Sequence, residues 1–498
     1  MESATLDPPR GRKARPTAQA LTALTLIAAA APIAIYLWVA LHRVGYPYEL
    51  DWMEGGSVEL AGRVLSGHSL YTQPSVMFVG WTYTPLYYWI SAAVAKLTGL
   101  GFLPLRLVSL IASLVAMATL AWMVARETGS RVAGLVAAGL FAATFKISGA
   151  WFDTGRVDSL FLALTLLALA WGRSARSMRG GIALGVLAFL AFFTKQSALL
   201  ALLPALVYLA LTRRRVGVPA LVTLAALTVG STLALGSASG GWYGYYVFTE
   251  LLHQPVATPL WTGFWTGDIL DHFWPLVILI VAGGAVLTSR KTEGRKPTYY
   301  ALAAAGLLGS AWVSRLHTGG YLNVLIPAYA AIALLAGLTY GTFARNTPAR
   351  ALLTAALLLQ LALLVYPIGA QIPTAADRAA GAELIARLKT LRGPVLVLRH
   401  PWYATLAGKG TFAQEEAIGD VLRSSSNKGA RPLRASLEHA LNRYHVQAVV
   451  LDGTFDTHFL EPELARYFRL QRRPITPSRL YPLTDVRTSP TLLYRRVH

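Results

Sequence analysis

Runs of about 20 apolar residues recur from Leu21 to Pro367, and nothing else in this chain restricts its fold so tightly. As a helix, a run of that length spans about 30 Å, the thickness of the hydrocarbon core of a bilayer. Hydrocarbon cannot satisfy bare peptide groups, so such runs must be helical rather than open strands. They fall at about 21–41, 103–125, 132–150, 158–172, 180–194, 197–212, 216–237, 272–288, 298–313, 320–342 and 349–368. Charged residues make up only 14% of the chain, against about a quarter in a soluble domain. The first run follows Arg10, Arg12, Lys13 and Arg15, and it is longer than the apolar core of a secretory signal, so it reads as a retained anchor. The chain has no cysteine, which excludes disulfides, thiolate metal sites and a cysteine nucleophile.

A net charge of +21 would suggest nucleic acid in a soluble protein. Its distribution points instead to topology. One further segment, YTPLYYWISAAVAKLTG at 83–99, decides the orientation of everything after it. If 83–99 does not cross, the short basic connections all fall on the side of the N-terminus. They are Arg126/Arg131, Arg173/Arg176/Arg179, Arg213–Arg215, Arg290/Lys291/Arg295/Lys296 and Arg345/Arg350. With the four N-terminal residues that is 18 Lys and Arg on one side, against eight in the opposite loops up to residue 369. The positive-inside rule selects this arrangement, with a cytoplasmic N-terminus (1–20) and a long outer loop over 42–102. Segment 83–99 then reads as a juxtamembrane helix with an aromatic edge of Tyr83, Tyr87, Tyr88 and Trp89 at the interface. Nucleic acid is a poor partner for charge that sets orientation; the partner it implies is the bilayer.

The outer side collects the unusual residues. Asp51 and Glu54, three apart, share a face if the chain there is helical, or they are simply solvated. Glu49 and Glu59 read as ordinary loop carboxylates. WFDTGRVD places Asp153, Arg156 and Asp158 at the mouth of two spans, with Lys146 nearby. Charge at such depth is costly and faces a cavity or another charge. Arg156 therefore either pairs with Asp153 or Asp158, or serves as a cation for phosphate oriented by a carboxylate. Lys195 in TKQS and Arg315 and His317 in SRLHTGGYLN sit at outer helix ends, with Tyr321 and Asn323 following. A lone lysine there can snorkel to the interface, but several cations on one face can together hold a lipid phosphate. No phosphate-binding GxxxxGK[ST] loop, HExxH or Cys/His metal set is present, and Asp153 and Asp158 lack DxD spacing. Inverted halves with paired broken helices, expected of many transporters, are not evident either.

The order of these blocks resembles a known family. One helix and an acidic outer loop are followed by RVLSGHSLY, YTPLYYW, AKLTG and LPLRLVSLIASL. RETGSRVAGLVAAGLFAAT, WFDTGRVDSLFL, FFTKQSALLALLPAL and RLHTGGYLNVLIPAYAA come next. The pattern is similar to bacterial C-type glycosyltransferases of the group that includes protein O-mannosyltransferases and the lipid A aminoarabinose transferase (family 39-like), over roughly residues 20–370. The resemblance implies transfer of a sugar from a polyprenyl-phosphate donor to an acceptor hydroxyl on a glycan, lipid or protein. It also implies a carboxylate base in the first outer loop and cations on the phosphate leaving group. Where the family often has adjacent Asp-Glu, this chain reads DWMEGG, with Met53 in the aspartate's place if Glu54 takes the glutamate's. The base is then Asp51 or Glu54, with Asp51 preferred. Asp158 matches the second acidic position; Arg156, Lys195, Arg315 and His317 are the phosphate contacts, and Tyr83, Asp153, Tyr321 and Asn323 are candidate substrate contacts. No cofactor is implied beyond room for a divalent metal.

From about residue 370 the chain changes character. GPVLVLRH and HVQAVVLDG read as buried strands, and TLLYRRVH as a terminal one; TAADRAAGAELIARLKTLRG and RASLEHALNRYH read as helices. The expected architecture is a polytopic α-helical membrane protein of about eleven spans in the bacterial inner membrane. Residues 21–369 form the transferase domain and 370–498 an extracytoplasmic α/β domain. HPWYATLAGKG is the one segment there with the residue density of a site. A transporter or flippase for a lipid-linked or phosphate-bearing glycan precursor is the alternative; acidic groups confined to one face favour the enzyme.

Overall fold

The computed structural model describes residues 14–289, 295–442, 445–453, 459–475, 480–484 and 486–497. Arg10, Arg12, Lys13, Arg290, Lys291 and His498 lie outside them. Each of the eleven apolar runs forms a helix. In chain order these are α1 (Ala14–Arg43), α4 (Phe102–Thr128), α5 (Arg131–Ala143), α6 (Asp158–Ser174), α7 (Met178–Phe192), α8 (Ala198–Thr212), α9 (Arg214–Ala238), α12 (Asp271–Ser289), α13 (Arg295–Leu316), α14 (Ile326–Phe343) and α15 (Thr347–Leu363). Two helices of the first long loop intervene, α2 (Glu54–Leu65) and α3 (Leu86–Thr98), and short turns α10 (Trp242–Gly244) and α11 (Leu260–Gly263) follow α9. By length and composition, five helical stretches among the described residues can cross a membrane. A sixth is added if the pair Thr347–Leu363 and Ile368–Thr390, bent by 60°, counts as one span. Others are short, such as α5 with 13 residues. The run expected over 132–150 stays helical only to Ala143, because the chain then turns through left-handed Gly149 (φ 79°) and Ala150 (φ 61°).

Polar caps mark where helices begin. Ser130 Oγ, Ser177 Oγ and Asn346 Oδ1 accept the backbone N–H of Ala133, Gly180 and Ala349, which satisfies donors that a first turn otherwise leaves bare. All three caps lie at the end of the bundle that carries the basic connections. Helices α1 and α5 touch backbone to backbone: a Cβ on Gly139 would stand 2.1 Å from the carbonyl oxygen of Ala29. Small residues permit this approach, which is how helices pack where lipid removes the hydrophobic drive.

At the opposite end the chain builds a second layer. The segment over 83–99 is a 13-residue helix, α3, lying with its buried face of Tyr87, Tyr88, Ser91 and Ala92 against α2 and α4. Thr84 Oγ1 donates to the carbonyl of Phe192 and Leu86 N to that of Phe193, so α3 is tied to the end of α7.

The C-terminal part forms α16 (Ala375–Thr390), β1 (Val395–Val397), α17 (Pro401–Leu406), α18 (Glu415–Arg423), α19 (Asn427–Asn442), β2 (Ala448–Leu451), α20 (Glu461–Tyr467), β3 (Phe468–Leu470) and β4 (Leu492–Arg496). The sheet order is β1-β2-β4-β3, with β1 and β2 parallel and the other pairs antiparallel. Side chains alternate across it. Val395, Val397, Ala448 and Val450 pack with α16, while Leu396, Leu398, Val449 and Leu451 join a core with Trp52, Trp81, Tyr88 and Tyr246 of the bundle's loops. Strands β1 and β2 are apolar throughout because both faces are covered. Backbone pairing adds to the docking: Ala413 N donates to the Val76 carbonyl (2.8 Å) and Thr484 N to that of Leu50 (3.0 Å).

Candidate active site

Four buried carboxylate–cation groups stand where the first long loop meets the ends of α4, α6 and α8. Two are closed. Arg106 of α4 forks onto Glu54 (Nε–Oε1 2.9 Å, Nη2–Oε2 2.6 Å), whose oxygens also accept Leu50 N and Gly155 N at 2.7 Å each. Burial disfavours the Glu54 charge, but Arg106 and the two backbone donors outweigh it and hold the carboxyl below its ordinary value. Asp153 is held likewise by the fully buried Arg43 at the end of α1 (Nε–Oδ2 2.8 Å), which also donates to the Ala150 carbonyl (2.6 Å).

The other two face a cavity. Lys195 Nζ donates to Asp158 Oδ1 at 2.7 Å, and Asn323 Nδ2 to Asp158 Oδ2 at 3.0 Å. Arg156 is 3% exposed, yet its Nη1 stands 3.7 Å from Asp51 Oδ2, longer than a hydrogen bond. Its Nε and Nη1 have no hydrogen-bond partner among the described residues. Trp81 and Trp151 hold the guanidinium between their faces at 5.5 and 5.0 Å, and Tyr83 Oη stands 3.5 Å from Nη2. A desolvated, poorly paired guanidinium is costly unless an anion completes it.

The cavity is about 490 Å³, and Arg156, Lys195, Tyr83 and His317 line its polar end. Burial, with Arg423 and Lys195 nearby, pushes the His317 imidazole down to about 4, so it is neutral near pH 7. Leu200, Leu252, Val256, Trp261 and Val313 form an apolar lip. Leu200 also opens an apolar groove of about 450 Å³ that continues along Leu203, Pro204, Val207 and Leu211 of α8. At 1.5 Å per residue this stripe runs about 16 Å along the helix. A buried cationic end continued by a long apolar groove fits a phosphate carrying a hydrocarbon chain.

The expected site residues thus separate. Asp51, Asp158, Arg156, Lys195, Tyr83, Asn323 and His317 line the cavity or hold a group that does. Four others are placed differently. Glu54 is saturated by Arg106 and two backbone donors, and Asp153 is held by Arg43 away from the cavity lining; the sequence assigned neither arginine to them. Arg315 turns to Asp268 (Nε–Oδ2 2.9 Å) and the Gly320 carbonyl (2.6 Å), outside the cavity lining. Tyr321 packs edge-on to Trp52 and near Trp151, a bridge between rings. Arg106 had a visible signal, since an arginine inside the apolar run LPLRLVSL demands a partner. The cavity wall contributed by Gln254, Glu416 and Asp420 had none.

Glu49, expected to be solvated, is buried beside His400 Nδ1, while His400 Nε2 stands 2.7 Å from Asp452 Oδ2. Glu59 is no loop carboxylate either: it lies in α2, where burial raises its pKa well above the ordinary value. Among the described residues, no three His, Asp or Glu gather as a metal site.

Residues 82–235 match the family model described as dolichyl-phosphate-mannose-protein mannosyltransferase. The fold is shared with ArnT from Cupriavidus metallidurans bound to undecaprenyl phosphate, at 14% identity over 94% of this chain and 98% of that one, with a TM-score of 0.58. It is shared too with an oligosaccharyltransferase from Archaeoglobus fulgidus in its apo form, at 12% identity over 87% of this chain and 69% of that one, with a TM-score of 0.55. A related structure from that organism, AglB with an inhibitory peptide and a dolichol-phosphate, gives 12% identity over 84% and 69% and a TM-score of 0.52. No curated protein matches the sequence. The resemblance to C-type glycosyltransferases drawn from the sequence is borne out.

Proposed function

We propose that the chain transfers a sugar from a polyprenyl-phosphate-linked donor to an acceptor hydroxyl at the outer face of a membrane. One observation carries the reading: the cavity joins a buried cation pair, Arg156 and Lys195, to an apolar groove along α8, with Asp51 beside the cations. The phosphate sits against Arg156 and Lys195 and the prenyl chain lies along Leu203, Val207 and Leu211. The shared fold and the lipid phosphates in the ArnT and AglB structures support this placement.

Asp51 is the general base. It takes the proton of the acceptor hydroxyl as that oxygen attacks the anomeric carbon, and the bond from that carbon to the phosphate oxygen breaks. The charge gathering on the departing phosphate is met by Arg156 and by Lys195, itself aimed by Asp158, whose other oxygen Asn323 holds. Glu54 cannot serve, because four hydrogen bonds already occupy its oxygens. The eleven apolar helices cross the membrane, the short ones included. The basic connections lie in the cytoplasm, and the cavity and C-terminal α/β unit lie outside.

The test compares cell-envelope glycans and lipids by mass spectrometry in cells making the wild type, Asp51→Asn or no protein. A glycan present only with the wild type is expected. An unchanged glycan profile with altered lipid distribution across the membrane would overturn the enzyme in favour of a transporter.

A further inference from the structure

The cavity has a second polar wall, and neither catalysis nor phosphate binding uses it. It comes from α18 of the C-terminal unit and from the loop after α9, both beyond the region matched by the family model. Glu416 and Asp420, one turn apart on α18, line the cavity together with Gln254. Behind them stands Glu250, fully buried. Among the described residues one cation pairs with these carboxylates: Arg423 Nη2 reaches Glu416 Oε1 and Asp420 Oδ1 at 2.6 Å each.

Three carboxylates with one guanidinium cannot all ionise cheaply in a buried place. Burial and the neighbouring Glu416, only partly offset by Arg423, push Asp420 up to about 8, and burial also raises Glu250. The wall therefore keeps at least one proton at neutral pH, offering an O–H donor beside carboxylate acceptors. Gln254 is 7% exposed; its Nε2 is spent on Glu250 (3.0 Å) and the Asp420 carbonyl (2.6 Å). Its Oε1 lacks a hydrogen-bond partner among the described residues, as does Nε2 of His317, which also lines the cavity. Buried polar atoms of this kind are costly until a ligand engages them.

Sugar hydroxyls both donate and accept, which suits a wall that holds donors and acceptors together. The glycosyl group is one bond from the phosphate, and the wall shares the cavity with the phosphate cations. From this geometry we infer that Glu416, Asp420 and Gln254 form the subsite for the hydroxyls of the transferred sugar, so that the C-terminal unit selects which sugar is moved. This inference rests on the proposed donor chemistry.

The experiment uses the full chain in lipid nanodiscs with synthetic polyprenyl-phosphate sugars that differ only in hydroxyl configuration. It measures release of polyprenyl phosphate from each sugar, and separately the binding of sugar-free polyprenyl phosphate. Glu416→Gln is expected to reduce the preference among sugars, as a ratio of kcat/KM, by about tenfold or more. Sugar-free lipid phosphate should bind it as it binds the wild type. If Glu416→Gln no longer binds that lipid, Gln254→Ala, which leaves the Arg423 pairs intact, takes its place with the same expectation. Equal loss for every sugar, or unchanged preference, overturns the subsite while leaving the donor chemistry standing. A wild type that acts on none of the panel overturns both.

Discussion

Glu54 with Arg106 and Asp51 with Arg156 are two carboxylate–arginine pairs only a few residues apart, and they are built to opposite ends. In the first, both carboxylate oxygens are filled by a bidentate fork and two backbone donors. In the second, the nearest approach of the charges is 3.7 Å, and the guanidinium, which lines the cavity, keeps Nε and Nη1 without hydrogen bonds among the described residues. Asp153–Arg43 and Asp158–Lys195 differ in place rather than in count: each carboxylate accepts a side-chain bond on both oxygens, but only Lys195 reaches the cavity. Residue type and burial are alike in the two classes. At Glu54 four hydrogen bonds mark a scaffold group, because a carboxylate so engaged has little left to give a substrate; for the other pairs, distance from the cavity makes the difference.

The contrast is broken most sharply by removing each carboxylate's charge. Asp51→Asn should lower sugar transfer by about 100- to 10,000-fold, while the protein melts as the wild type does and still binds polyprenyl phosphate. Retained transfer would make Asp51 another scaffold residue. Glu54→Gln should instead destabilise, by about 3–5 kcal/mol, since it strands the buried Arg106. The readout is loss of folded protein in a thermal melt, and a folded but inactive Glu54→Gln would reverse the assignment of the base.

Lys195→Ala removes one charged contact from the cavity and should weaken polyprenyl-phosphate binding by about ten- to a hundredfold, measured by titration into nanodisc-held protein. A smaller effect belongs to the His400 group that joins Glu49 of the first loop to Asp452. Burial opposes the imidazolium, but Asp452 and Glu49 outweigh it and push His400 up to about 10. Its folded pKa lies above the unfolded value of about 6.5, so the stabilisation is complete below pH 6.5 and is lost as pH rises through about 10. Thermal melts of the wild type should therefore fall between pH 7 and 10 more steeply than those of His400→Gln. The smallest change is expected of Arg315→Ala. Its partly exposed pair with Asp268 contributes about 1 kcal/mol or less, and lipid-phosphate affinity should stay within about threefold of wild type. A large loss would return Arg315 to the phosphate site.

Much of the fold was legible. The eleven apolar runs became eleven helices because hydrocarbon-length periodicity is a local property, whereas Tyr87 and Tyr88 of α3, expected at an interface, are buried against α2 and α4. The strands at 395–397 and 448–451 were visible as doubly buried apolar stretches and that at 492–496 as a terminal run, whereas β3 at 468–470 is too short and polar to announce itself. At the site, sequence brought forward Asp51, Asp158, Arg156 and Lys195, since charges beside apolar runs are conspicuous. It also brought forward Glu54, Asp153 and Arg315 on the same grounds, and nothing local distinguished them.

By itself, then, the sequence determined that the first 370 residues are a chain of apolar helices with most of the basic residues in the connections at one end and most of the acidic residues in those at the other. Both follow from the cost of placing polar groups in hydrocarbon, which acts residue by residue along the chain. The tertiary structure alone decided which carboxylate is saturated and which stands beside the cavity cations. Arg106 is 52 residues from Glu54 and Arg43 is 110 from Asp153, so the pairing depends on distances that only the packed helices define. It also decided that α18, more than 200 residues beyond Lys195, faces the same cavity.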